Sequence, residues 1–491
     1  MEKTLIFSQF NGGISEDKRV RVANKFSITK NFDVFTYPHK LVPRPLTAAL
    51  TGENKTYDIV KFLYAPFTGG GAPASGYVLY GLGLTGANRA VWRLDITTNT
   101  DGDWAGPSNS GIVAVAGGEE EKVLFHYKNY VYFWVTDALF RIDTTSGSPA
   151  QYQAMTGWVN IAPPVRHPSD DIAYFFHDNI VSSLNDTSWT AAALTLPSNL
   201  KIVAACPHGP YLAVACVTKD TLKPESVVFS WDRDSSLANV TSRADFDGEV
   251  KKIASLEGRL IAVTYVKNFI TKDKVQIQQI IDENAIPLNE ITTDVADGIT
   301  FYDTDFIKNN ILYFPLKATL ASDTRLGIWA VNSSGAATLD FLNSDVTTSS
   351  YEGIYHTGDY LFIAHSNDGS TDVSSPTGAY SPLGNCLYES LIIGDLEDLG
   401  KSKKLLAIGV MTEPLPASAQ VSVEHRVDAE TSYTSTFYHN TADSLYKEAI
   451  NTYAGANLPE FKELQIRLYS QSGAVITAYM VKYEVLGKEV I

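Results

Sequence analysis

A recurring β-strand unit constrains the fold of this 491-residue chain more than any other feature. Each copy has a short apolar strand, an Asn- or Gly-marked turn, an aromatic strand, a polar turn, and a strand that ends in Trp or Phe followed by Asp or Asn. The unit recurs every 45 to 55 residues or so, roughly the spacing of sheet repeats. The clearest copies span residues 77–95, 123–143, 202–232, 253–281 and 301–332, and looser copies span 172–196 and 351–396.

Strand repeats of this length are typical of propeller blades, because one four-stranded sheet cannot bury both of its faces and must stack on its neighbours. We therefore predict an all-β fold with a β-propeller of about seven blades over residues 46–412. A pair of stacked β-sandwiches remains an alternative, since the sequence has no WD or kelch signature. Helical periodicity is nearly absent, and its best candidate is the short stretch 442–449.

Both ends of the chain differ from the repeat. Pro414 and Pro416 interrupt it, and beyond them apolar and polar residues alternate along 419–427 and 464–468, which predicts a C-terminal β-sandwich over 413–491. Residues 1–45 contain eight basic and four acidic residues and many turn signals, which predict an extended N-terminal arm. An equally good interpretation of this segment is a lead-in strand packed on its own domain.

The basic residues of this arm are our candidate contact site. An arm of this composition would suit an acidic surface on a neighbouring subunit or another partner. The residues expected to make that contact are Lys18, Arg19, Arg21, Lys25, Lys30, Lys40 and Arg44.

Charge and composition exclude several classes of protein. The formal net charge is −16, and no basic run is long enough to grip nucleic acid, although DNA could still pass transiently and without specificity. No apolar run approaches the roughly 20 residues of a membrane span, so we expect neither membrane insertion nor a secretion signal. Cys206, Cys216 and Cys386 are too scattered for a disulfide framework, which predicts buried free thiols and synthesis in a reducing compartment.

No residue pattern carries a specific chemistry. The nine histidines are scattered, and a metal shared by His356 and His365 is a remote alternative. The triple glycine at 69–71 lacks the Lys-Ser/Thr of a phosphate loop, and the loop 367–372 lacks the closing Glu of an EF-hand. We therefore predict no enzyme activity, no catalytic residue, no metal and no cofactor.

The N-terminal residues carry a resemblance. The stretch Phe10–Arg19, which reads FNGGISEDKR, is followed by NFDVF at 31–35 and YPHKLVP at 37–43. This text is similar to the starts of structural proteins of tailed bacteriophages, in which an FNGG arm leads into a propeller-like β domain. Residues 461–467, FKELQIR, resemble the sandwich that closes such chains. The likeness covers about 100 residues. It extends to the expected architecture, since the repeat length of this chain is typical of propellers.

The resemblance implies a virion protein of the tail, synthesised in the host cytoplasm: a tail nozzle, tail-tip or adaptor protein that forms a homo-oligomeric ring around the DNA exit path. Its partners would be further copies of itself and other tail proteins. An acidic composition suits that role, because an acidic lumen repels phosphates and lets DNA slide during ejection.

Two alternatives from other classes remain open. A receptor-binding fibre or other glycan-binding propeller would stack sugar rings of a host surface glycan on exposed aromatic residues, with Trp104, Trp158 and Trp189 as candidates. A glycan-degrading enzyme would need two loop carboxylates about 5 to 10 Å apart. The candidates for that role are Asp232, Asp234, Asp297, Asp303 and Asp305.

Overall fold

The computed structural model is built from β-strands, and its described residues contain no α-helix. It describes residues 2–15, 25–45, 47–49, 58–70, 72, 75–85, 88–96, 123–135, 137–220, 224–234, 236–237, 240–267, 272–293, 297–320, 323–342, 351–357, 360–365, 371–374, 386–393, 401–428, 430–440, 447–452 and 459–486. Within these ranges no helix has the length and hydropathy that crossing a membrane requires.

The strands are numbered in chain order. The first group is β1 (Glu2–Phe7), β2 (Phe26–Lys30), β3 (Phe32–Asp33), β4 (Val42–Pro43), β5 (Thr47–Ala49), β6 (Asp58–Pro66), β7 (Tyr77–Thr85), β8 (Asn88–Leu94), β9 (Leu124–Tyr127), β10 (Tyr130–Val135), β11 (Ala138–Asp143), β12 (Pro149–Ala154), β13 (Ile161–His167), β14 (Ile172–His177), β15 (Ile180–Asn185) and β16 (Ser188–Thr195). The second is β17 (Leu200–His208), β18 (Tyr211–Thr218), β19 (Glu225–Trp231), β20 (Val240–Asp247), β21 (Glu249–Leu256), β22 (Arg259–Val266), β23 (Lys274–Ile281), β24 (Asn284–Thr292), β25 (Ile299–Phe301), β26 (Phe306–Lys308), β27 (Ile311–Leu320) and β28 (Asp323–Val331). The last is β29 (Ala337–Leu342), β30 (Tyr351–Thr357), β31 (Tyr360–His365), β32 (Thr371–Ser374), β33 (Cys386–Ser390), β34 (Lys403–Thr412), β35 (Gln420–Val427), β36 (Thr434–His439), β37 (Lys447–Thr452), β38 (Glu460–Phe461), β39 (Leu464–Gln471) and β40 (Ile476–Val485).

The chain forms two compact units. The propeller unit comprises Ala48–Thr324 and Val346–Ser375, and the sandwich unit comprises Met1–Thr47, Arg325–Asp345 and Pro376–Ile491.

Among its described residues, the propeller unit contains six separate antiparallel sheets and the first strands of a larger sheet, and these seven blades follow one another along the chain. Blade 1 is β6-β7-β8, blade 2 is β9 to β12, blade 3 is β13 to β16, blade 4 is β17 to β20 and blade 5 is β21 to β24. In blade 6 both β25 and β26 pair with β27, and blade 7 has the order β30-β31-β32-β5. The predicted propeller of about seven blades is confirmed.

Apolar clusters join successive blades, because each sheet buries both of its faces against neighbours. Blades 3 and 4 share a cluster in which Tyr174 meets Trp231 edge-on at a centroid distance of 5.8 Å. Similar clusters join blades 1 and 2, 2 and 3, 4 and 5, and 7 and 1. Blade 7 is completed by β5, a strand from before blade 1, so main-chain pairing closes the ring.

The sandwich unit contains two larger sheets. One has the order β1-β40-β34-β37 with β38 also on β34, and in the other β28, β29, β2, β33, β39, β35 and β36 are neighbours in that order. Tyr388 of one sheet packs against Tyr479 of the other at a centroid distance of 5.8 Å. Phe10 is fully buried between the same two tyrosines.

The structure divides the chain differently from the predicted ranges 1–45, 46–412 and 413–491. The described part of residues 1–45 is not an extended arm, because β1 pairs with β40 and β2 pairs with β33, and Phe26 and Phe32 are fully buried. The alternative of a segment packed on its own domain is the correct one. Likewise β34 pairs with β40, so Pro414 and Pro416 lie inside the sandwich unit rather than at its start.

Candidate functional site

A cavity of about 310 Å³ lies where the first strands of blades 3, 4 and 5 begin. Its wall combines apolar side chains with six charged ones, and we call it the axial pocket. The lining residues are Val123, Asn160, Ile161, Pro163, Lys201, Ile202, Val203, Ala204, Glu249, Val250, Lys251, Lys252, Asp303 and Asp305. Its volume falls within the range of small-ligand sites, roughly 300 to 1,000 Å³.

Irregular strand pairing shapes this pocket. The ladder register shifts between Ile202 and Ala204 in β17 and between Val250 and Lys252 in β21, so Val203 and Lys251 are extra residues without an opposite partner. Similar shifts occur in β6, β13 and β30. A bulge re-aims side chains that would otherwise alternate between the two faces of the sheet. It therefore allows consecutive residues of β17 and β21 to line one cavity.

Blade 6 contributes its acids from a break in its first strand. Pairing with β27 stops after Phe301 and resumes at Phe306, and Asp303 and Asp305 lie in the interval. The Thr304 hydroxyl in the same interval accepts a hydrogen bond from the main-chain N–H of Ile354 in blade 7 at 3.1 Å. This bond and the turn between β25 and β26 fix the two carboxylates at the pocket wall.

Lys252 and Asp305 form the most buried charge pair of the pocket. Lys252 is 6% exposed, and its Nζ lies 2.9 Å from Oδ1 of Asp305 and 3.3 Å from the carbonyl oxygen of Thr304. Burial opposes ionisation of Asp305, but Lys252 and Lys61 outweigh that effect and lower its pKa below the ordinary value. Asp305 is therefore a stable carboxylate and not a proton donor near neutral pH.

The other four charges of the pocket fall into two groups. Lys251 pairs with Glu249 at 2.7 Å on the same strand. By contrast, the Lys201 and Asp303 side chains make no ion pair or hydrogen bond to any residue within the described ranges. Among the described residues, nothing neutralises the half-buried cation of Lys201 or the exposed anion of Asp303.

The structure separates the five acids proposed for glycan hydrolysis. Only Asp303 and Asp305 line the axial pocket. Asp232 accepts a hydrogen bond from the main-chain N–H of Asp234 in the turn after β19, and Asp297 pairs with Lys267 at 2.8 Å. The lowered pKa of Asp305 makes this carboxylate a poor proton donor for glycan hydrolysis near neutral pH.

The candidate glycan-stacking residues have structural roles where they are described. Trp158 stacks on His177 at 3.8 Å and on Trp134 at 5.3 Å between ring centroids, both nearly parallel to it. Trp189 packs on Phe175 at 5.2 Å. Trp104 lies outside the described residues. Trp158 and Trp189 are thus partly buried residues that pack against the cluster between blades 2 and 3.

The seven basic residues predicted to contact a partner are only partly described. Lys18, Arg19 and Arg21 lie outside the described residues, and Lys25 and Lys30 are half-buried. Lys40 forms an ion pair with Glu413, and Arg44 lies 2.8 Å from Asp340 and 3.1 Å from Asp33. Lys40 and Arg44 therefore hold the sandwich unit together, and the contact role of the set stays a prediction.

The cysteines and histidines form no centre for metal chemistry in the described part of the chain, where no three potential ligands cluster. The three thiols are free and buried, as predicted, and burial raises the pKa of Cys206 and Cys386 to about 12. Cys206 and Cys216 lie in different apolar clusters on opposite faces of blade 4. His356 contacts the Nζ of Lys308 at 3.0 Å, and residues 367–370 of the loop 367–372 lie outside the described residues.

Sequence reasoning identified two acids of the axial pocket but missed its lysines. Lys201, Lys251 and Lys252 share one feature, a position near the start of the first strand of a blade. This pattern was visible in the sequence as a lysine preceding or interrupting an apolar run. The pattern indicates a shared pocket only once the first strands of neighbouring blades are known to lie side by side.

Comparisons with known proteins give no family assignment. No protein-family model matches the sequence, and no curated protein matches it either. Among solved structures, the N-terminal domain of Nup159 is similar at 14% identity with a TM-score of 0.35, over 67% of this chain and 99% of that one. An exo-beta-1,3-galactanase from Phanerochaete chrysosporium is similar at 11% identity with a TM-score of 0.29, over 89% of this chain and 100% of that one. Likenesses at this level carry no argument about function.

Proposed function

We propose that this protein is a structural component of a tailed-bacteriophage virion. It would be a tail nozzle, tail-tip or adaptor protein that forms a homo-oligomeric ring around the DNA exit path and contacts other tail proteins.

The proposal is carried by the roles of the residues that resemble phage tail proteins. Phe10 donates its main-chain N–H to the carbonyl of Pro38 at 2.9 Å, and Ile14 donates to Ala337 at 2.9 Å. Leu41 exchanges two main-chain hydrogen bonds with Ile476 of β40. The FNGG and YPHKLVP stretches therefore hold the sandwich unit together. These stretches have structural roles in this chain, which is what a shared architecture would require of them.

The chemistry of the axial pocket supports a contact role over catalysis. Two of its carboxylates are paired with lysines, Asp305 with Lys252 and Glu249 with Lys251. A general acid near neutral pH needs a raised carboxyl pKa, whereas the pKa of Asp305 is lowered. The stacking of Trp158 on His177 and Trp134 likewise weighs against the glycan-binding alternative.

Electron microscopy and mass measurement of the purified full-length protein would test the proposal. We expect closed rings with a central hole wide enough for duplex DNA. A slender trimer would favour a fibre, and a monodisperse monomer at micromolar concentration would contradict the ring.

A charge-reversal variant would test the predicted contact residues without deleting residues that the sandwich unit needs. Changing Lys18, Arg19 and Arg21 to Glu should weaken ring assembly if this segment docks on an acidic neighbour. The matched control changes three exposed basic residues elsewhere, Arg259, Lys272 and Lys462, to Glu. Rings that form equally well in both variants would refute the contact site while leaving the ring itself intact.

A further inference from the structure

The axial pocket has the features of a binding site rather than of a packing defect. Its lysines and acids come from three neighbouring blades: Lys201 from β17, Lys251 and Lys252 from β21, and Asp303 and Asp305 from the break in blade 6. Packing defects in protein interiors are small and apolar, because close packing excludes larger voids and unpaired polar groups are expensive to bury. A pocket of about 310 Å³ with six charged groups is neither small nor apolar, and it is open to solvent, because Asp303 is exposed and Lys201 is half-buried.

The pairing of the pocket's charges indicates which charges a ligand would have to carry. Lys252 is fixed by Asp305 and Lys251 by Glu249, so neither lysine needs an external partner. Lys201 and Asp303 are the two charged lining residues without an ionic or hydrogen-bonding partner among the described residues. A ligand that brings one anion to Lys201 and one cation to Asp303 would neutralise both charges at once.

The strands beside these charges favour a polypeptide as that ligand. β13, β17 and β21 are each the terminal strand of their sheet, and the extra residues Val203 and Lys251 lie outside the ladder. Terminal strands and bulges leave main-chain N–H and C=O groups that an extended peptide can engage. The apolar part of the wall, including Ile161, Val203 and Val250, would cover the aliphatic part of the bound side chains.

We propose that the axial pocket binds an extended peptide segment of a partner protein, with an acidic side chain on Lys201 and a basic side chain on Asp303. The proposal shares with the proposed function the premise that the propeller contacts other proteins. It does not depend on a virion, a ring or the N-terminal basic residues.

Calorimetric titration of the full-length protein would test the site. The probes are peptides with blocked ends that carry one Glu and one Lys separated by zero to three Gly residues, in both orders. The matched neutral probes replace Glu and Lys with Gln. We expect at least one charged probe to bind with a Kd of about 1 mM or tighter, and its neutral counterpart to bind at least tenfold more weakly.

Variants assign that binding to the pocket. Lys201→Gln and Asp303→Asn should each weaken the best probe about tenfold, because each leaves one charge of the peptide without a partner. Lys272→Gln, at an exposed residue that does not line the pocket, should leave its Kd unchanged. Thermal melts of the variants establish that each is folded, and either pocket variant alone is sufficient for the comparison.

Three results would overturn the proposal: no charged probe binds more tightly than its neutral counterpart, both pocket variants bind like the wild type, or the control variant loses affinity equally. Tight binding of free 5-aminovalerate without binding of any blocked peptide would also overturn it, since the site would then take a small zwitterion. Failure of these titrations with rings still present would leave the proposed function intact. If the protein is a monomer and still binds the peptide, the peptide site is supported and the proposed ring is contradicted.

Discussion

Two buried carboxylates of the sandwich unit share one guanidinium group. Asp33 and Asp340 are 3% and 4% exposed, and Oδ2 of each lies near Nη2 of Arg44, at 3.1 and 2.8 Å. Burial raises the pKa of Asp340 to about 7, Arg44 opposes that rise and Asp33 adds to it. One arginine thus cannot keep both acids ionised at low cost, and the cluster retains a proton up to neutral pH.

This proton makes the stability of the sandwich unit dependent on pH. The pKa of Asp340 is about 7 when folded and near 3.8 when unfolded, so its contribution is complete at acidic pH and is lost as pH rises towards 7. We expect Asp340→Asn to remove much of this decline and to be more stable than the wild type at pH 8 by about 2 kcal/mol. Urea unfolding of both proteins at pH 5, 6, 7 and 8 measures this difference in the free energy of unfolding.

The control for this experiment is Asp245→Asn, which removes an exposed carboxylate paired with Arg243. Exposed pairs contribute at most about 1 kcal/mol, so this variant should keep the pH profile of the wild type. Parallel profiles for wild type and Asp340→Asn would show that Asp340 is ionised throughout, and that burial has been compensated by groups other than Arg44.

At the scale of elements, the sequence predicted the blades well and the sandwich unit poorly. Residues 123–143 became β9, β10 and β11, and residues 202–232 became the first three strands of blade 4. These elements are local hairpins, so turn residues and strand periodicity are sufficient to identify them. By contrast, β1 pairs with β40 and β2 pairs with both β29 and β33, and no local pattern indicates partners hundreds of residues apart.

The axial pocket was predicted even less completely, for a related reason. Asp303 and Asp305 were noted as carboxylates, but their neighbours Lys201 and Lys252 come from other blades. The bulges that turn Val203 and Lys251 out of the ladder leave no signature in the residue types. Packing between blades decides which acid is neutralised. Asp305 is paired with Lys252, whereas Asp303 has no ionic partner among the described residues.

A single glycine links the FNGG stretch to β29. Gly13 has φ +78°, and a Cβ atom there would lie 2.7 Å from the main-chain nitrogen of Ala337. We expect Gly13→Ala to destabilise the sandwich unit by about 3 kcal/mol, since left-handed backbone strain of about 1 to 2 kcal/mol adds to a clash that requires the main chain to move. Thermal unfolding followed by circular dichroism measures the loss.

Gly76 provides the matched comparison, because it also has positive φ, +68°, but no atom lies within 4 Å of its added Cβ. Gly76→Ala should cost only the backbone term, about 1 kcal/mol. Equal losses for the two variants would mean that the close approach of residues 13 and 337 does not contribute to stability.

At the scale of the whole molecule, folding of the N-terminal strands depends on strands from the C-terminal end of the chain. The sandwich unit is assembled from the segments Met1–Thr47, Arg325–Asp345 and Pro376–Ile491, whereas blades 2 to 5 are continuous in sequence. Local hairpins form quickly, but pairing between β1 and β40 must wait until nearly all of the chain is present. The N-terminal strands therefore have no complete partner sheet until the C-terminal residues arrive.

The net charge of the whole chain determines how it should interact with DNA. The chain has 39 basic and 55 acidic residues, a net charge of −16, so duplex DNA should be repelled rather than held. We expect no binding of a fluorescently labelled 30-base-pair duplex by anisotropy at physiological salt, which means a Kd weaker than about 10⁻⁴ M. Lowering the salt should leave the result unchanged, because few phosphates would be contacted. Micromolar, salt-sensitive binding would contradict the expectation. Its loss in the Lys18, Arg19 and Arg21 variant would then assign this basic segment to DNA rather than to a neighbouring subunit.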